Sequence, residues 1–66
     1  MINTIESYEH EARQAAIAQN QGDIARKRSH KEHFDRMRAM ETHADQCKLI
    51  QLFQDIYKSN RRIQQG

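Results

Sequence analysis

Apolar residues along this chain recur at steps of three and four, the spacing of helices packed on one face. Near the start, Ile5, Tyr8, Ala12 and Ala15 share a single helical face. Asn3 is placed to cap that helix, and Glu6 follows three residues later in the pattern of a capping box. The run ends in Gln19-Asn20-Gln21-Gly22-Asp23. Gly22 can adopt the left-handed conformation that closes a helix, and Asp23 can cap the next one. The pattern predicts a first helix over about residues 3–20 and a turn over about 20–23.

Beyond Asp23, a stripe of His30, Phe34, Met37, Met40, Ala44 and Cys47 continues, and Leu49, Ile50, Leu52, Phe53, Ile56 and Tyr57 broaden it. Ser29 with Glu32, and Thr42 with Asp45, resemble further capping boxes. Neither pair has Gly or Pro beside it, so the expectation is one unbroken helix over about residues 24–63. A break at Thr42 is the alternative. The fold class expected is all-α: one domain, residues 1–66, built as a helical hairpin of a short and a long helix.

That hairpin leaves a surplus. Helix 1 would span about 27 Å and helix 2 about 60 Å at 1.5 Å per residue, so helix 1 covers its partner only to about Met40. The most apolar stretch, Cys47 to Tyr57, then has nothing in its own chain to bury it. Apolar patches of that kind seldom stay in water. A break at Thr42 could fold the stretch back as a third helix. Alternatively, two long helices could pair antiparallel about a two-fold axis as a homodimer. The unbroken helix signal favours the dimer, with Phe34, Met37, Ala44, Cys47, Ile50, Phe53 and Ile56 as its seam.

Charge supports the hairpin. Residues 1–23 carry four acidic and one basic side chain, net −3, whereas residues 24–40 carry six basic and two acidic, net +4. Folding at Gly22 is expected to set Glu6, Glu9 and Glu11 opposite Lys31, Arg36 and Arg38. Exposed pairs of this kind are individually weak, but the pattern helps choose the pairing.

Composition changes the picture in two respects. At 36% hydrophobic and 30% charged residues, disorder has to be considered, but the periodicity, the absence of Pro and the two Gly favour helices. A single cysteine, Cys47, excludes an intramolecular disulfide and fits a reducing compartment. The longest purely apolar run, Ala15-Ala16-Ile17-Ala18, is far too short to cross a bilayer, and no leader pattern opens the sequence. A cytoplasmic protein without membrane contact is expected.

Candidate chemistry is thin. His30 with His33, and His43 with Cys47, have helical spacing for two-ligand metal contacts, yet the pairs lie about 20 Å apart along one helix. His30 reads instead as a partly buried interface residue, and Cys47 as a small apolar thiol in the seam. No nucleophile motif or glycine-rich phosphate loop is present, so no enzymatic activity, cofactor or metal is expected. Arg26, Lys27, Arg28 and Lys31, extended by Arg36 and Arg38, could contact phosphates and make nucleic-acid binding the rival function. The net charge of +2 is modest, and no aromatics interleave with the basic run to stack bases. Tyr8, Met40 and Tyr57, with the basic Arg61 and Arg62, are the candidates for contact with another protein.

The plan of a short helix, an Asn20-Gln21-Gly22-Asp23 turn and a long helix, without a catalytic motif, resembles small phage-encoded helical proteins that take over host regulators, such as the anti-quorum-sensing proteins of Pseudomonas phages. That resemblance implies a homodimer that binds and blocks a host transcription regulator, and a pilus assembly ATPase as a further partner. The function expected is a non-enzymatic protein-binding inhibitor acting by steric docking.

Overall fold

The computed structural model describes residues 1–65, with side chains described through Asn60. The chain forms α1 (Ile5–Asn20), α2 (Ile24–Ala39) and α3 (His43–Gln65), with no strand among the described residues. Asp23 caps α2, its carboxylate accepting from the Arg26 N–H at 3.1 Å. Gly22 takes φ 76, the left-handed region expected of it. At the N-terminus the cap is one residue later than expected. Thr4, not Asn3, accepts from the Ser7 N–H, because the Asn3 side chain is turned inward to Tyr8 and Met37.

The helix expected over 24–63 is two helices. After Ala39 the chain stays right-handed, with Met40 at φ −81 and ψ −11, and the N–H groups of Met40 and Glu41 bond to the carbonyls of Met37 and Arg38. A turn that remains right-handed needs neither Gly nor Pro, which is why the break left no breaker in the sequence. Thr42 then caps α3 by accepting from the Asp45 N–H at 3.3 Å. The cap at Thr42 is therefore used, whereas Ser29 and Glu32 lie inside α2.

Helix α1 is the middle of the bundle and packs against both other helices, while α2 and α3 touch each other sparingly. The three-residue turn makes α1 and α2 antiparallel. Contacts at both ends make α1 and α3 parallel: the Ile2 N–H reaches Glu41, and the Asn20 side-chain amide reaches the Asn60 carbonyl at 3.3 Å. Ala12, Ala15, Ala16 and Ala18 are all buried, so α1 presents a wide small-residue arc on which two helices can close.

The core is small and centred on Tyr8, Phe34 and Leu49, with Met37, Leu52 and Phe53 packed around it. Phe34 meets Tyr8 and Phe53 edge-to-face at ring-centroid distances of 5.3 and 4.9 Å. Phe53 in turn stacks on Tyr57 at 5.8 Å. One aromatic row thus ties α1, α2 and α3 together.

The expected dimer seam is divided by this packing. Phe34 is buried within the chain, and Met37, Phe53 and Ile56 are half-buried, whereas Ala44, Cys47 and Ile50 are exposed. Those α3 positions advance by threes, and each step of three drifts about 60° around a helix. Over residues 44 to 56 the drift is about 240°, so they cannot share a face. The premise of an unburied Cys47–Tyr57 segment also falls. The segment folds back, Leu49 reaches 1% exposure, and Leu52 and Phe53 join the core.

Phe34→Ala removes the ring that joins the three helices, at a cost of about 3–5 kcal/mol. A chain of this size has only about that much stability in total. The variant is expected to have lost its helical circular dichroism at 25 °C, and a folded variant with a cooperative melt would contradict this account of the core.

Candidate functional site

Three places collect side chains able to recognise something. The first is the end of the bundle where the N-terminus meets the α2–α3 link. Glu41 is almost fully buried there and receives three donors: Ile2 N–H at 2.8 Å on one oxygen, and Asn3 N–H at 3.0 Å and the Tyr8 hydroxyl at 2.6 Å on the other. The Met37 carbonyl lies 2.9 Å from the same hydroxyl, and Asn3 donates to the phenolic oxygen at 3.3 Å. Holding the N-terminal segment in this way brings exposed Met1, Ile2 and Ile5 to the same end as Met40. Ile2 is 71% and Met40 63% exposed.

Of the residues expected to contact a partner, Met40 is at this end and open. Tyr8 is not available. It is fully buried, because its ring fills the core and its hydroxyl is one of the donors that the buried Glu41 carboxylate requires. Tyr57 is half-buried in the aromatic row. The side chains of Arg61 and Arg62 lie outside the described residues. Sequence reasoning passed over Ile2 and Glu41. Ile2 precedes the first periodic residue, and Glu41 looks like an ordinary solvated carboxylate until its donors, some 40 residues away, are known.

The second place lies between α1 and α2. Glu11 is buried and accepts from Nδ1 of His30 at 2.8 Å, and its other oxygen lies 3.2 Å from Nδ1 of His33. His30 is thus partly buried at an interface, as its place in the stripe suggested, although the interface is internal. Among the described residues, no cluster of three or more His, Cys, Asp or Glu side chains has the arrangement to hold a metal ion.

The third place is the open side of the bundle, a groove of about 360 Å³ between α2 and α3. Phe34, Ile50 and Phe53 line it, with Lys31, Asp35 and Arg38 on the α2 wall. Lys27 and Lys31 reach across so that their ammonium groups sit 5.6 Å from the ring centres of Tyr57 and Phe53. The basic run therefore does not form one surface. Lys27 and Lys31 turn toward α3, Arg28 is exposed, and Arg26 turns toward α1, where it donates to Gln14 at 3.4 Å. Neighbouring helix positions point about 100° apart, so Arg26, Lys27 and Arg28 cannot face one phosphate row together.

The expected opposition of Glu6, Glu9 and Glu11 to Lys31, Arg36 and Arg38 is also replaced. Glu11 serves the histidines, Glu9 lies 3.8 Å from Arg13, and Lys31 pairs with Asp35 at 3.1 Å. Arg38 donates to Gln46 at 3.1 Å and to Asp35 at 3.5 Å, and its buried Nε–H finds no acceptor among the described residues. No helix among the described residues is long and apolar enough to cross a membrane. The sequence matches no protein-family model and no curated protein, and the fold matches no solved structure.

Burial and these bonds set the pH response. Burial alone would raise the Glu41 carboxyl, but the donors from Tyr8, Asn3 and Ile2 outweigh it and hold the carboxyl below its ordinary 4.5. Burial likewise opposes ionisation of Glu11, and the bonds from His30 and His33 again prevail and lower it. The Tyr8 phenol is raised above 10.0, first by burial and then by its bond to Glu41. Both carboxylates bind a proton less readily when folded, so they stabilise the fold above pH 4.5 and lose that effect as pH falls through their lower folded values. Tyr8 works in reverse: its contribution is complete below pH 10.0 and disappears as pH rises.

Urea midpoints are therefore expected to form a plateau between these limits and to fall on both sides. Glu41→Gln and Glu11→Gln lower the plateau and flatten the acid arm. Tyr8→Phe costs about 1–3 kcal/mol at neutral pH and flattens the alkaline arm. An acid arm unchanged in both glutamine variants would show that other groups control it.

Proposed function

We propose that this chain is a non-enzymatic protein-binding module that acts by laying a preformed helical surface over a face of another protein. The observation that carries this reading is the pair of large apolar side chains, Ile2 and Met40, left 71% and 63% exposed at the end of the bundle where the Ile2 N–H is held by Glu41. A chain with so small a core gains by burying such residues, so their exposure at one anchored end suits a docking contact. Methionine adapts well to a foreign surface, and helices that are already ordered lose little entropy on binding.

The homodimer takes a different standing in this proposal. A dimer would cover the apolar second half of a long helix, but that half is α3, and α3 packs against α1 of its own chain. We take the monomer as the binding form. Nucleic-acid binding is the weaker reading, since Lys27 and Lys31 turn toward α3 while Arg26 turns toward α1. The resemblance to phage host-takeover proteins was to a layout with one long helix. It contributes only the class of partner to try first, a cytoplasmic transcription regulator and then a pilus assembly ATPase.

Two measurements check the proposal. Sedimentation equilibrium is expected to give the monomer mass at micromolar concentration, and a dimer mass would return the seam to consideration. Affinity capture from the native host, with mass spectrometry, is expected to recover a stoichiometric protein with the wild-type chain and to lose it with Ile2→Glu plus Met40→Glu. Both sites are exposed, so the variant should keep its circular dichroism. Capture of no stoichiometric protein by the wild type rejects the reading.

A further inference from the structure

We infer that the groove between α2 and α3 is a docking site for an acidic amphipathic helix of another protein. The inference rests on the protein-binding reading but concerns a face away from the apolar end. The groove joins two features that such a helix would satisfy at once. Its floor is apolar, formed by Phe34 and Phe53, with Ile50 at the edge left 44% exposed. Its α2 wall carries Lys31 and Arg38 against one acid, Asp35, and Lys27 continues the basic row beyond the groove, over the Tyr57 ring.

Charge complementarity identifies the occupant. On this side of α2, Lys27, Lys31, Arg38 and Asp35 sum to +2, and the acidic helix of the same chain does not neutralise them. Two of the α1 carboxylates turn elsewhere, Glu11 to His30 and His33 and Glu9 to Arg13. Asp35 is left to serve both Lys31 and Arg38. From Lys27 to Arg38 the wall runs about 16 Å, or three turns of a bound helix. An amphipathic helix with apolar residues three and four apart would seat them on Ile50 and Phe53, its carboxylates reaching the lysines on the rim.

A nucleic-acid strand fits the same groove less well. The ring of Phe53 packs on Phe34 and Tyr57 and has the Lys31 ammonium over it, so it offers a base little face for stacking.

The test uses the full chain and a fluorescein-labelled peptide of about 16 residues, with Leu at helical spacing and Glu on the flanks. A second peptide has every Glu replaced by Lys. Fluorescence anisotropy is expected to show saturable binding of the acidic peptide alone. Lys27→Glu with Lys31→Glu is expected to weaken it about tenfold and to admit the basic peptide. Ile50→Asn, an exposed site that leaves the lysines in place, is expected to weaken the acidic peptide without admitting the basic one. Amide chemical shifts of the wild type should move along Lys27–Arg38 and Ile50–Tyr57.

Absence of saturable binding overturns the inference. So does shift movement confined to Ile2, Ile5 and Met40, which would leave the protein-binding reading standing and remove only the groove. Two further results overturn it: a mixed-sequence oligonucleotide that displaces the peptide with the same lysine dependence, and self-association abolished by Ile50→Asn.

Discussion

A single carboxylate, that of Glu41, holds together parts of the chain that are far apart in sequence. Two backbone N–H groups from the first three residues and the Tyr8 hydroxyl converge on it. A buried carboxylate is costly unless its oxygens receive donors, and a tyrosine hydroxyl at the bottom of a core needs an acceptor. Each requirement is met by the other. The pairing fixes the α2–α3 link against the start of α1, and with it the direction in which α3 leaves. Once that direction is set, the apolar face of α3 lies along α1, and α3 closes the core with Leu49, Leu52 and Phe53.

The second constraint is the size of the residues on α1. A central helix must let two others approach on adjoining faces, and alanines at positions 12, 15, 16 and 18 leave room for both. The large side chains then come from one position on each helix: Tyr8, Phe34 and Leu49. A core this small leaves some apolar residues outside. Ile2 and Met40 remain at one end, and Ile50 remains at the rim of the groove. Both surfaces follow from the same geometry, because α1 occupies the middle and α2 and α3 are left apart on the open side.

Electrostatics gives the two sides of α2 different characters. Toward α1, histidines meet Glu11 in a half-buried setting; toward α3, lysines extend over aromatic rings. The functional proposal depends on this asymmetry. An apolar end and a basic, aromatic-floored groove are both surfaces that fit protein, and they differ in the chemistry they would select.

The helical class, the turn at Gly22 and the cap at Asp23 were legible in the residues, because each depends on neighbours within four positions. So was the shared face of Tyr8, Ala12 and Ala15 on α1, although Ile5, read onto the same face, is 46% exposed. The division of the expected long helix was only half legible: Thr42 marked a cap, but a right-handed link without Gly or Pro gives no sign that the cap is used. Tertiary structure made that choice, because the bonds from Ile2, Asn3 and Tyr8 to Glu41 exist only when residues about 40 positions apart meet. The same holds for the burial of Tyr8, the exposure of Cys47 and the split of the basic run. Local order along the chain determines which helices can form, and long-range packing alone decides which of their faces meets water.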